Sequence, residues 1–92
     1  MKQSEIFSKI SIILQKKLNR KKSEITLSAN LSTDLGADSL DLVEIVMEIK
    51  TTFDIKISDE EVGMESTVQN LVDLVEKKLT EKGAIHETSK NK

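Results

Sequence analysis

The sequence predicts an all-α fold, a small four-helix bundle with three longer helices, one short third helix and a long first loop. Three observations carry that expectation. Apolar residues recur at helical spacing in three separate stretches, over 4–18, 39–53 and 68–79. The chain has no proline and only two aromatic residues, Phe7 and Phe53, so its interior must be built from Ile, Leu and Val on helices. At 92 residues it is long enough for one modest core and too short for a second. The folded unit is assigned to 1–83, and 84–92 is read as a polar, loose tail.

In the first stretch, Ile6, Phe7, Ile10, Ile13, Leu14 and Leu18 share one face, with Lys9, Lys16 and Lys17 on others. Asn19 to Ser23 breaks the pattern, and a connection of nearly twenty residues runs to Asp38. A loop that long must be anchored, and Ile25, Leu27, Leu31 and Leu35 recur as its expected pegs. Arg20, Lys21 and Lys22 read as a solvated helix end favoured by the dipole, with no partner assigned.

The second helix is announced by Asp38, whose carboxylate suits an N-cap, and by Asp41 three residues on, an acidic version of the capping box. Gly36 supplies the turn before it. Ser39 then falls on the first turn, where unpaired N–H groups and the positive end of the helix dipole favour a phosphate. On residue physics alone two readings stand for Ser39: a residue of the cap, or an exposed hydroxyl suited to carry an anion. Leu42, Val46, Ile49 and Phe53 form a stripe suited to the core. Leu40, Val43 and Met47 form a second stripe beside Asp41, Glu44 and Glu48, which by itself reads as deeper burial.

Ser58 is placed to cap a short third helix over 59–62, which Gly63 stops. Thr67 caps a last helix along which Val68, Leu71, Val72, Val75 and Leu79 recur, with Gly83 as its expected stop.

The formal net charge of −2 conceals a segregation. Residues 1–30 hold seven Lys or Arg against two Glu, whereas 31–65 hold two Lys against ten acids. An acidic middle third argues against nucleic acid as a partner of that face and for proteins with basic docking patches, unless it serves solubility alone. The absence of cysteine excludes disulfides, thiolate metal sites and a catalytic thiol of the protein's own, so any thiol chemistry must come from a cofactor. The single histidine, His86, lies in the tail, far from any serine–histidine or metal-ligand set. Counting from Asp34, the twelfth residue is Ile45 where a calcium-binding EF-hand loop needs Glu. No apolar run reaches membrane-spanning length and no signal peptide opens the chain, so membrane insertion is not expected and the expected setting is cytoplasmic, or an organelle matrix if a presequence has been removed. With no long heptad pattern, a monomer is expected.

The string Asp34-Leu35-Gly36-Ala37-Asp38-Ser39-Leu40-Asp41 resembles the phosphopantetheine attachment site of acyl carrier proteins. The likeness continues through Val43, Glu44, Val46, Met47, Phe53-Asp54, Ile57, Asp59-Glu60-Glu61 and Thr67-Val68-Gln69, with no gap needed from Ile25 to Gln69. Glu65 departs from the pattern, standing where such proteins often carry an apolar residue; Met64 beside it is the expected substitute.

The resemblance implies a non-catalytic carrier. A phosphopantetheinyl transferase would attach the 4'-phosphopantetheine of coenzyme A to Ser39, making the chain a phosphoprotein that bears growing acyl groups as thioesters for fatty acid biosynthesis. It implies a partner surface of Asp38, Leu40, Asp41, Val43, Glu44, Met47, Glu48 and Glu60 for enzymes with basic docking patches. It also implies an acyl-chain lining of Leu31, Val46, Ile49 and Leu71. A carrier for polyketide, peptide or D-alanine chemistry is the alternative within the class, although peptidyl carriers usually show a glycine-rich, histidine-containing string before the serine. From another class, the alternative is a helical interaction subunit of a larger assembly.

Overall fold

The computed structural model describes the backbone of residues 1–91 and the side chains of residues 1–58 and 60–82. Helix α1 spans Gln3–Leu18, α2 spans Ser39–Phe53 and α3 spans Val68–Asn91. Single 3-10 turns at Lys22–Glu24 and Asp59–Glu61 interrupt the two connections. Among the described residues the architecture is all-helical as expected, but with three helices rather than four. In place of the expected short third helix the chain makes only the turn Asp59–Glu61. Three consecutive acids repel one another, and Gly63 disfavours continuation. The Ser58 N–H and hydroxyl both donate to the Glu61 carboxylate, at 2.9 and 3.2 Å, and so close that turn over its own length.

Helix α1 is the common partner of α2 and α3. It contributes Ile6, Ile10, Ile13 and Leu14 to the core, α3 contributes Val68, Leu71, Val72 and Val75, and Phe7, Leu18 and Leu79 pack at the edge. On α2 the buried set is Ile45, Val46, Ile49 and Phe53. Ile45, absent from the expected stripe, is fully buried, whereas Leu42 is only partly so. The inward face of α2 therefore keeps Val46, Ile49 and Phe53 of the expected stripe and gains Ile45, four residues before Ile49, in place of Leu42.

The long first loop is anchored, though not by all of its expected pegs. Ile25, Leu31 and Leu35 are buried, joined by Ala29 and Ala37, while Leu27 is 42% exposed. At Leu27 the backbone carbonyl does the anchoring: it accepts from Gln69 N–H at 2.8 Å. Val68 N–H donates to Ala29 O at 3.0 Å and Leu31 N–H to Ser66 O at 2.9 Å, so a short antiparallel bridge, Asn30 to Thr67, joins the loop to the start of α3. The Asn30 side chain accepts from Ser32 and Thr33 N–H and donates to Glu65 O, each at 2.9 Å. These bonds satisfy the polar backbone that an irregular segment would otherwise leave unpaired against the core.

Helix α3 begins as expected. Asn70 N–H donates to Thr67 Oγ1 at 3.1 Å, and Thr67 N–H donates back to Asn70 Oδ1 at 2.9 Å. The helix then runs past Gly83, its expected stop, to Asn91. A single glycine in a helix costs about 1 kcal/mol relative to alanine, which weakens a helix without ending it. The expectation of a loose tail over 84–92, His86 included, falls outside the described side chains. Among the described residues no helix is long and apolar enough to cross a membrane.

Candidate functional site

The backbone reaches α2 through a tightly held turn. Gly36 has φ +76°, a left-handed conformation that residues with a Cβ rarely adopt. Gly36 N–H donates to Ser32 O at 2.9 Å and Ala37 N–H to Leu31 O at 2.8 Å. Arg20 holds the same turn from the far end of the loop. Its Nε–H donates to Leu35 O at 3.1 Å, and a Cβ added at Gly36 would stand 3.1 Å from its guanidinium. Its other branch pairs with Glu24 at 3.3 Å. The reading of Arg20 as a solvated cation without a partner is corrected here: only the fold brings Leu35 O within its reach.

Asp38 follows in an extended conformation and caps the helix as its sequence predicts. Asp41 N–H donates to Asp38 Oδ1 at 2.8 Å, and Asp38 N–H donates to Asp41 Oδ2 at 3.1 Å. The two acids complete the box between themselves, and among the described hydrogen bonds none uses the Ser39 hydroxyl. Ser39 is exposed at the first helical position, beside backbone N–H groups that precede the helical ladder. Such an end favours an anion. The site therefore offers an unengaged hydroxyl, positive backbone dipoles and a rigid, capped helix behind them.

Along α2 from Ser39, Leu40, Val43 and Met47 are 66%, 50% and 60% exposed. Three- and four-residue steps put them on one face, so the reading of deeper burial does not hold. Asp41, Glu44 and Glu48 run beside them at the same steps; Asp38, Glu44 and Glu48 are exposed and Asp41 partly so. The structure thus brings seven of the eight expected partner-surface residues onto one helix end and its flank. Glu60 is exposed on the separate Asp59–Glu61 turn. Glu61 of that turn is bound instead to Lys78 of α3 at 2.8 Å, and the ammonium and the Ser58 N–H hold its carboxyl down at about 2.

Leu31, Val46, Ile49 and Leu71, the expected acyl lining, are all buried in the one core. None of them lines the hollow of about 440 Å³ by Asp54 and Lys82, nor the one of like volume between α1 and α2. The α2 end remote from Ser39 is tied to α3, where Lys82 Nζ donates to Asp54 O at 2.8 Å and pairs with its carboxylate at 2.9 Å.

A capped helix that presents an unengaged serine hydroxyl at an anion-favouring end is compatible with one class of protein, a carrier of a covalently attached group. Comparison with known proteins reaches the same class. The family described as "Phosphopantetheine attachment site" matches residues 8–75. An acyl carrier protein from Thermotoga maritima is 47% identical over 75 residues, spanning 82% of this chain and 93% of that protein. One from Guillardia theta is 43% identical over 79 residues, spanning 86% and 98%. A solved structure of an acyl carrier protein from Enterococcus faecalis superposes with a TM-score of 0.69 at 30% identity, covering 85% of this chain and 99% of that one. The chain belongs to the acyl carrier protein family. It is a non-catalytic carrier, and its cofactor is 4'-phosphopantetheine, held covalently.

Proposed function

We propose that Ser39 carries the 4'-phosphopantetheine and that the protein delivers growing fatty acyl chains, as thioesters on that arm, to the enzymes of fatty acid synthesis. The observation that supports this most is the Asp38–Asp41 box, which completes the cap and leaves the adjacent hydroxyl out of it. Ser39 Oγ then attacks the pantetheine-side phosphorus of the coenzyme A pyrophosphate, in a step that a phosphopantetheinyl transferase catalyses. A serine phosphodiester forms, the phosphoanhydride bond breaks, adenosine 3',5'-bisphosphate leaves and the serine proton passes to a base. The arm supplies a terminal thiol, which a chain with no cysteine does not have. The N–H groups at the start of α2 stabilise the phosphate charge.

Leu40, Val43 and Met47 form the apolar centre of the docking surface, and Asp38, Asp41, Glu44 and Glu48 its acidic rim, with Glu60 an outlying charge. Electrostatic steering brings basic enzymes in fast, and a small apolar centre keeps each complex brief enough for release. Methionine adapts its shape to several partners. Shielding of the acyl tail draws on the α2 and α3 side chains Val46, Ile49 and Leu71 with Leu31, which part to admit it; each methylene withdrawn from water is worth about 0.8 kcal/mol. The cytoplasmic setting belongs to the same reading.

The test is charge reversal. Asp41→Lys with Glu44→Lys should slow modification by a transferase and the later acyl transfers, while high salt slows the unaltered protein. Unchanged rates in the variant would leave the acidic stripe with no docking role.

A further inference from the structure

Helix α1 carries one large apolar residue that the core does not use. Ile12 is 57% exposed, although Ile6, Ile10, Ile13 and Leu14 already fill the inward face. Lys9 stands three residues before it and Lys16 four after, so all three share one outward row. They form one wall of the hollow of about 440 Å³ between α1 and α2, with Lys17 beside them and Glu48 and Thr52 on the opposite wall. Buried Ile13 lies at its base. Three ammonium groups therefore surround an apolar strip, and the one acid, Glu48, stands at the far side. A lone exposed isoleucine needs no explanation, but one centred in a groove and flanked by three lysines, with a single acid on the facing wall, has the features of a docking surface.

We propose that this groove is a second docking surface, and that it takes an acidic amphipathic helix of a partner protein. The shape fits, because a furrow between two packed helices seats a third along its length. The charges fit as well. Lys9 and Lys16 lie about 10 Å apart along the axis, by the helical rise, and so match acids spaced two turns apart on an incoming helix around an aliphatic residue that covers Ile12. Its charge is predominantly opposite to that of the Leu40–Met47 surface, which it adjoins at Glu48, so the two surfaces favour partners of different charge. The proposal does not depend on modification of Ser39, and its test is run on the unmodified chain.

The probe is a synthetic helix of about 15 residues, with leucines at helical spacing on one face and glutamates elsewhere, and a control of the same composition in scrambled order. It is titrated into the isotope-labelled full chain at low salt and followed residue by residue by NMR. Expected are shifts at Lys9, Ile12, Lys16, Lys17 and Thr52, and affinity roughly tenfold above that of the scrambled control. Ile12→Ser and Lys16→Glu should each remove most of that preference, while Val43→Ser leaves it intact. Equal binding of the scrambled peptide, or shifts confined to the Leu40–Met47 surface, would overturn the proposal. So would salt-sensitive dimers in sedimentation, which would make a second copy the occupant. Binding of phosphatidylglycerol vesicles through Ile12 without a preference for the ordered peptide would make it a lipid surface instead.

Discussion

The two apolar faces of α2 are built from the same kinds of residue and have opposite fates. Ile45, Val46, Ile49 and Phe53 are withdrawn from water in the core that α2 shares with α1, while Leu40, Val43 and Met47 stand in it. Hydrophobicity therefore does not decide which face turns inward; what stands opposite does. The inner face meets α1 and joins the shared core, and among the described residues the outer face stays exposed. Acids run along its edge, keeping it wet and discouraging non-specific association. One face holds the helix in place and the other presents it, with Ser39 at the shared N-terminal end.

Substitution on each face sharpens that contrast. Ile49→Ala should be the most damaging, at about 2–5 kcal/mol in denaturant unfolding, because it empties a fully buried site that its neighbours cannot readily refill. A loss below about 1 kcal/mol would mean that the neighbours close over the space left by Ile49 and that this face does not hold the helix.

A second effect is confined to acid and lies away from both faces. The carboxyl of Glu61, ordinarily 4.5, is held at about 2 by Lys78 and the Ser58 N–H. A depressed carboxyl stabilises the fold above its ordinary value, and that stabilisation is lost as pH falls from about 4.5 toward about 2. Glu61→Gln should reduce the fall of melting temperature across that window, leaving the part that comes from Glu24 and Asp54, whose carboxyls are also held low, by Lys21 and Arg20 and by Lys82 respectively. An unaltered slope would show that the Glu61–Lys78 pair does not hold the turn to α3.

On the outer face, Val43→Ala should change stability by no more than about 0.5 kcal/mol, as exposed positions do, while weakening acyl transfer to the partner enzymes. A loss of stability like that of Ile49→Ala would abolish the distinction between the faces.

Much of this was legible in the sequence because it is local. The three apolar periodicities, the Asp38–Asp41 box, the Thr67 cap and the turn at Gly36 each involve residues within a few positions of one another. The attachment string was legible for the same reason, being eight consecutive residues. What sequence periodicity missed depends on distant parts of the chain. Asn30 gains its importance from Glu65 and the start of α3, thirty-five residues on, and Arg20 from the carbonyl of Leu35. Leu27 has the composition of a peg, but its backbone forms the anchor, and side-chain type carries no sign of that. Ile45 is a different case. Its spacing from Ile49 and Phe53 was available, and the choice of a stripe beginning at Leu42 hid it. The third helix failed on energetics, since a cap and three acids look like a helix start but hold no more than one turn.

The central claim, that Ser39 is the attachment point of a carrier, is tested most directly by intact mass. The full chain and its Ser39→Ala variant are each incubated with coenzyme A and a competent phosphopantetheinyl transferase. The account predicts that the unaltered chain gains one phosphopantetheine and that the variant gains none. It also predicts that the variant keeps its helicity and lies within about 1 kcal/mol of the parent, because the hydroxyl takes no part in the cap. No gain in the unaltered chain, or an equal gain in the variant, would contradict the assignment.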